Sequence, residues 1–171
     1  MKRRPVLHYP DERLRIATRP VDDREFGTTE LSELVAEMTA TMRALKGIGI
    51  AATQIGVNKA LAVIELDDGP MAIANPTVRN AAKRLEVQEE GCLSVPGVFG
   101  LVNRAATLTL IARTIDGKPF RIKADGLFAR VIQHETDHLN GRLFIDRCHE
   151  VTDGVAEAKR LGLSIPPLQP I

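Results

Sequence analysis

Gln133-His134-Glu135-Thr136-Asp137-His138 is the stretch around which the chain must be arranged. Residues four apart on an α-helix lie on one face, one turn above the other. His134 and His138 can therefore both direct an imidazole at one metal ion, and Glu135 beside them can reach a water bound to it. Two neutral nitrogen ligands and an adjacent carboxylate are the minimum for metal-assisted hydrolysis of an amide. The bland alternative is a surface helix with two solvated histidines. The neighbouring sequence speaks against it, because Leu127, Val131, His134 and His138 share one face of a helix predicted over residues 127–139. That face carries apolar residues, so it meets the body of the protein. Asn140-Gly141 ends the helix.

Working outward, the order of elements is helix, many strands, then helix. Thr29 to Lys46 carries Leu31, Leu34, Val35, Met38, Met42 and Leu45 at helical spacing, with Thr28 or Thr29 as N-cap and Gly47 as the stop. Gly47 to Gly56 reads as a glycine-punctuated apolar loop. Lys59–Leu66 and Met71–Ala74 read as strands, the second closed by Asn75-Pro76. Pro96-Gly97 marks a turn. Thr107–Thr114 and Pro119–Lys123 read as strands joined by a hairpin at Asp116-Gly117. A short helix is expected over Val155–Leu161. This order predicts an α+β fold, with mainly antiparallel sheets packed around the central metal-binding helix.

The composition is that of one globular domain spanning 1–171, with 44% hydrophobic and 26% charged residues. A net charge of +1 favours no polyanionic partner, and no nucleic-acid site is evident. The basic start, Met1-Lys2-Arg3-Arg4-Pro5, runs into prolines rather than an apolar stretch, so it is not a secretory signal. Nothing approaches the roughly 18 apolar residues of a membrane span. Two cysteines, Cys92 and Cys148, make no disulfide framework, and the chain reads as cytoplasmic. The tail, about 162–171, holds Pro166, Pro167 and Pro170 and cannot be helical.

A catalytic metal on two histidines needs a third protein ligand and an open position. Downstream, Asp146, His149, Glu150, Asp153 and Glu157 sit in no recognisable frame for it. Upstream, Cys92 lies in Glu90-Gly91-Cys92-Leu93-Ser94, where Gly91 allows close backbone approach. A lone cysteine is most often a buried core residue, so its flanks carry the argument.

Three segments in order resemble the peptide deformylase family. These are Gly47-Ile48-Gly49-Ile50-Ala51-Ala52-Thr53-Gln54, Glu90-Gly91-Cys92-Leu93-Ser94, and Gln133 to His138 extended by Leu139 and Gly141. The similarity covers most of the chain and is least beyond Glu150. It implies an enzyme that hydrolyses the N-formyl group from the initiator methionine of new polypeptides of bacterial type. Cys92, His134 and His138 become the metal ligands and Glu135 the general acid/base. Gln54 and the backbone N–H of Leu93 hold the formyl oxygen. Ile48 and Gly49 line the path of the substrate backbone. Arg130 and Val131 fall at the methionine pocket, which Arg130 can narrow or cap. Thr53 fills a position that is often proline in the family. N-formylmethionyl nascent peptides are the implied partners, and the ribosome near its exit tunnel is admitted as another.

The chemistry of these residues suits that reaction. One thiolate and two neutral imidazoles leave a divalent metal one net positive charge and a free tetrahedral position. Such a metal brings the pKa of bound water toward neutrality. The donor set accepts iron(II), zinc, nickel or cobalt, and the resemblance implies iron(II) in the cell, with an oxygen-sensitive Cys92. Glu90, Asp137 and Gln133 are either supports of the histidines or solvated residues, with Arg104 a candidate partner of Glu90. Cys148, His8 and His149 sit in no motif. Two other readings use the same residues: a metallopeptidase cutting internal bonds, and a catalytically lapsed relative that only binds ribosomes or partners. The second should have lost a ligand or Glu135, and none is missing.

Overall fold

A computed structural model describes residues 2–166. Five antiparallel strands form the larger sheet: β1 (Gly49–Ala51), β2 (Leu61–Leu66), β3 (Gly69–Arg79), β6 (Thr107–Arg113) and β7 (Pro119–Asp125), side by side in that order. A second antiparallel sheet holds β4 (Leu85–Cys92), β5 (Val95–Ala105) and β8 (Cys148–Asp153). The helices are α1 (Thr29–Ala44), α2 (Gly126–Leu139) and α3 (Val155–Arg160). The expected α+β architecture with antiparallel sheets is what forms. Among the described residues no helix is long and apolar enough to cross a membrane.

The inner face of the larger sheet explains how α2 comes to lie against it. Leu108, Leu110 and Ala112 alternate inward along β6, and Ala51, Ala62, Ala112 and Ala124 keep the surface low. Ala129 and Ile132 of α2, both fully buried, settle on that surface. Truncating Ile132 there would cost about 2–5 kcal/mol, since close-packed walls do not collapse around a lost side chain. Leu31, Leu34, Met38 and Met42 of α1 pack with Ile50, Leu61 and Val63, so the methionines are core filling. A third cluster joins Val98, Val102 and Val151 of the smaller sheet to Leu14, Phe144 and Ala158.

Helix ends follow local chemistry. The Thr28 hydroxyl accepts from the Leu31 N–H and caps α1. At the other end the left-handed residue is Lys46, one position before the expected stop at Gly47. Gly47 has another use: a side chain there would press on Leu93. Helix α2 ends in a full Schellman pair, Gly141 N–H to His138 O and Arg142 N–H to Asp137 O, with Gly141 left-handed. Gly141 also lies against the Arg15 backbone with no room for a Cβ, and Thr18 N–H donates to Leu139 O, so the N-terminal segment pins this end.

Three local expectations need correction. Strand β3 does not stop at Asn75-Pro76 but runs to Arg79, because a bulge between Ala74 and Thr77 absorbs the pair. Asn75 takes a left-handed conformation there, and its side chain bonds both the N–H and the carbonyl of Val21. The turn near Cys92 is Leu93-Ser94, not Pro96-Gly97; Cys92 pairs with Val95 and the two later residues lie within β5. The Gly47–Gly56 stretch is not simply loop, since β1 joins the sheet and a 3-10 turn covers Ala52–Ile55. Of the tail, Leu163 and Ile165 pack on the third cluster and Pro166 O accepts from Val151 N–H. Residues 167–171 lie outside the described residues.

Candidate active site

Two elements deliver to one point three side chains that could hold a metal ion. Cys92 ends β4, and His134 and His138 project from successive turns of α2. Their ligand atoms all lie within 4.8 Å of one another, with Cys92 Sγ 3.2 Å from His138 Nε2. His134 Nδ1 sits 3.0 Å from Glu90 Oε2. That contact fixes the ring so that Nε2 is the free nitrogen. The His134 ring also stacks on Phe144, with centroids 6.3 Å apart. His138 is buried, and its Nδ1 has no partner among the described residues.

The electrostatics of the metal-free cluster agree with a cation site. Burial opposes protonation of His134, but hydrogen bonds to Cys92 and Glu90 outweigh it and raise its pKa well above the ordinary value. Burial, with the positive His134 alongside, drives the pKa of His138 well down. A proton in this cluster is thus favoured on His134 over His138. A soft thiolate with two imidazoles is a donor set suited to a divalent ion, which would replace that proton.

Glu135 is buried, and its Oε2 has no hydrogen-bond partner among the described residues. Burial pushes its carboxyl pKa up to about 7, with His134 acting in the opposite direction and Glu90 in the same one. A carboxyl near neutrality can both take and return a proton. Gly49 of β1 comes so close that a side chain there would collide with the Glu135 carboxylate and with Val131. Gln54 is oriented by its own oxygen, which accepts from Ala51 N–H at 2.8 Å. Its Nε2 is thereby aimed at Cys92 Sγ, 3.6 Å away, and at Ser94 Oγ, 3.2 Å away. Ser94 also donates its N–H to Cys92 Sγ at 3.4 Å. Ser94 lies in the Glu-Gly-Cys-Leu-Ser segment, the one signal that could have singled it out.

A cavity of about 680 Å³ opens above these groups. Ile48, Gly49, Gln54, Cys92, Leu93, Arg130, Val131, His134 and Glu135 all line it, and His138 closes the metal cluster behind them. Gly91, Phe99 and Leu127 also line it, and of these three sequence reading had given Phe99 no role. Gly91 is required because a Cβ would stand 2.5 Å from the Phe99 ring. His8 stands exposed at the cavity edge, while Cys148 donates to Glu150 O in the smaller sheet.

Behind the metal cluster lies a buried ion network. Arg104 grips both Glu90 oxygens at 2.9 Å and also bonds Asp137, which Arg147 holds at 2.6 and 2.7 Å. Burial alone would raise the Glu90 pKa, but Arg104 and His134 outweigh it and hold the carboxyl far below the usual range. Gln133 ties α2 to the end of β5 through Ala105 N–H and O, both at 3.0 Å. All three supporting residues are therefore bonded within the fold rather than solvated.

Fold and donor set together fit a hydrolytic metalloenzyme, with Cys92, His134 and His138 able to hold a metal ion and α2 packed against both antiparallel sheets. The polypeptide deformylase family model matches residues 3–153. A peptide deformylase of Acinetobacter baumannii is 43% identical over 145 residues, covering 83% of this chain and 81% of that protein. The crystal structure of a class I type b peptide deformylase from Acinetobacter baumannii with Met-Ala-Ser bound superposes with a TM-score of 0.83 at 32% identity, covering 86% of this chain and all (100%) of that one. A peptide deformylase from Synechococcus elongatus in complex with actinonin gives 0.82 at 37% identity, covering 95% and 90%. The chain belongs to the polypeptide deformylase family. It is a metal-dependent enzyme that removes the formyl group from the N-terminal formylmethionine of polypeptides.

Proposed function

We propose that Cys92, His134 and His138 hold one divalent ion, with Glu135 as general acid/base and Gln54 and the Leu93 N–H as oxyanion donors. The observation that carries this is the convergence of three ligand atoms within 4.8 Å beside a buried, unpartnered carboxylate on the wall of one cavity. When bound, a divalent ion on this donor set supplies Lewis acidity and a nucleophilic water at neutral pH. Glu135 takes the proton of the attacking water and delivers it to the amine as the C–N bond breaks. Formate and a free N-terminal amine leave. Gln54 Nε2, already turned toward the cluster by Ala51, meets the charge that develops on the formyl oxygen.

Substrate placement follows from two sheet edges. Strand β1 is at the edge of one sheet and β4 at the edge of the other, and both border the cavity. Main-chain groups of Ile48 and Gly49 pair with an extended substrate backbone, while Val131 walls the methionine pocket. The Acinetobacter structure with Met-Ala-Ser supports a peptide of this kind as the product. Iron(II) is the ion proposed for the cell, with zinc, nickel and cobalt also fitting the thiolate and imidazoles. The nascent chain is the partner, the ribosome the place it is met and the cytoplasm the compartment.

Formate release from N-formyl-Met-Ala-Ser by protein purified without oxygen, beside Glu135→Ala, tests the assignment. Release that disappears in the variant while its metal content stays equal is the expected result. Equal release from both would remove Glu135 from the mechanism. Cleavage of unformylated peptides at internal bonds would move the peptidase reading ahead.

A further inference from the structure

We infer that Arg130 is a positioning residue for the metal ligands, acting through Glu90 and β4 rather than by contact with the methionine side chain. This rests on the metal reading above. Arg130 lies one helical turn before His134, and its guanidinium is turned toward the smaller sheet. Nη1 donates to Glu90 Oε1 at 2.7 Å and to Val102 O at 3.0 Å. Nη2 donates to Glu86 O at 2.6 Å, and Nε to Gln88 Oε1 at 3.0 Å. Four of its five N–H groups are thus engaged, and the residue is only 5% exposed. What is left to face the cavity is chiefly its methylene stem.

Two consequences follow for the metal site. First, Arg130 and Arg104 both bond Glu90 Oε1, which fixes the carboxylate plane and leaves Oε2 directed at His134 Nδ1. Without Arg130, Glu90 keeps only the Arg104 fork, and the carboxylate that faces His134 Nδ1 is less firmly placed. Second, Glu86, Gln88 and Glu90 all belong to β4, the strand that ends in Cys92. Arg130 therefore ties the helix carrying both histidines to the strand carrying the cysteine. It sets the spacing between the two halves of the ligand set.

Cobalt(II) titration of the metal-free protein against a competing chelator, with visible spectra, tests this in Arg130→Met and Arg130→Lys. Wild-type protein must first bind cobalt with a thiolate absorption that Cys92→Ala abolishes; failure there would sink the metal reading itself. Given that, Arg130→Met should bind cobalt about 10–100-fold more weakly, as removal of a ligand's hydrogen-bonded support generally does. Its spectrum should shift, and the preference for N-formyl-Met over N-formyl-norleucine peptides should be unchanged. Wild-type affinity and spectrum with an altered preference would overturn the inference and make Arg130 a pocket wall. Should Arg130→Met fail to fold, Arg130→Lys decides. An ammonium cannot span Glu90, Val102 and Glu86 together, so wild-type affinity and spectrum in that variant would overturn the inference, and weaker binding with a shifted spectrum would support it.

Discussion

Gly49 and Glu135 share a space that admits no methyl group: a Cβ on Gly49 would overlap the Glu135 carboxylate and stand 3.0 Å from Val131 Cγ1. Gly49 has an ordinary strand conformation, so the demand is for room and not for backbone freedom. The carboxylate cannot simply retreat, because Glu135 is 3% exposed. Gly49→Ala should therefore leave the fold and the metal content intact while displacing the acid/base. The expected loss is about a hundredfold in kcat, the scale of a misplaced proton-transfer group. Steady-state kinetics with metal analysis checks it, and a variant with normal kcat would show that the site yields more easily than its burial implies.

Burial pushes the Glu135 carboxyl of the metal-free protein from its ordinary 4.5 up to about 7. The folded state then binds this proton more tightly than the unfolded chain. The stability so contributed is fully present below about 4.5 and is lost as pH rises through about 7. Relative to Glu135→Gln, metal-free wild-type protein should lose about 3 kcal/mol between those limits. Urea unfolding of both proteins across this range gives the difference directly. A difference that does not change with pH would mean that Glu135 is already ionised in the fold.

Gln54 is held for a task by Ala51, whose N–H occupies its side-chain oxygen. Gln54→Ala should cost about 3 kcal/mol of transition-state stabilisation, felt mainly in kcat. A rise in KM with kcat unchanged would instead assign Gln54 to ground-state binding.

Asp137 faces away from the cavity and balances two arginines. Arg104, 3% exposed, has no route to water, whereas the Arg147 side chain is 41% exposed and can turn outward. Asp137→Asn should thus cost about 3 kcal/mol, the lower end for breaking a buried pair. For a chain of this length that is about 6–12 °C in Tm. Calorimetry on metal-loaded protein measures it, and an unchanged Tm would mean that Glu90 alone suffices for Arg104.

How far the sequence could be read depended on which way its side chains pointed. The metal helix and the β6–β7 hairpin were legible because apolar residues keep the period of their element and face the core. Strand β4 of the smaller sheet was not, because the residue it buries is charged. Leu85 and Val87 are 57% and 52% exposed, while Glu90 and Arg104 are 7% and 3% exposed, which inverts the usual alternation. The partners of Arg130 lie 28 to 44 residues earlier in the chain, a relation no local pattern carries. Cys92, the proposed cysteine ligand, was legible only through the segment it shares with a family, since a lone cysteine has no periodicity to betray it.

The two cysteines should respond differently to oxygen, and this separates an iron enzyme from a nickel or zinc one. Cys92 lines the cavity within reach of small oxidants and is the proposed thiolate ligand. Cys148 is held in the smaller sheet, where burial pushes its thiol pKa up and its Sγ donates to Glu150 O. A protonated thiol reacts slowly, whereas a thiolate beside a redox-active ion climbs the oxidation ladder. Chelation should abolish activity and either iron(II) or nickel(II) should restore it. In air the iron-loaded enzyme should then lose activity as the Cys92 peptide gains oxygen, with Cys148 unmodified and the nickel-loaded enzyme stable. Peptide mass spectrometry alongside formate release follows both events. Activity that persists through prolonged aeration of the iron-loaded protein would count against iron as the cellular ion, and oxidation confined to Cys148 would contradict the assignment of Cys92 as the thiolate.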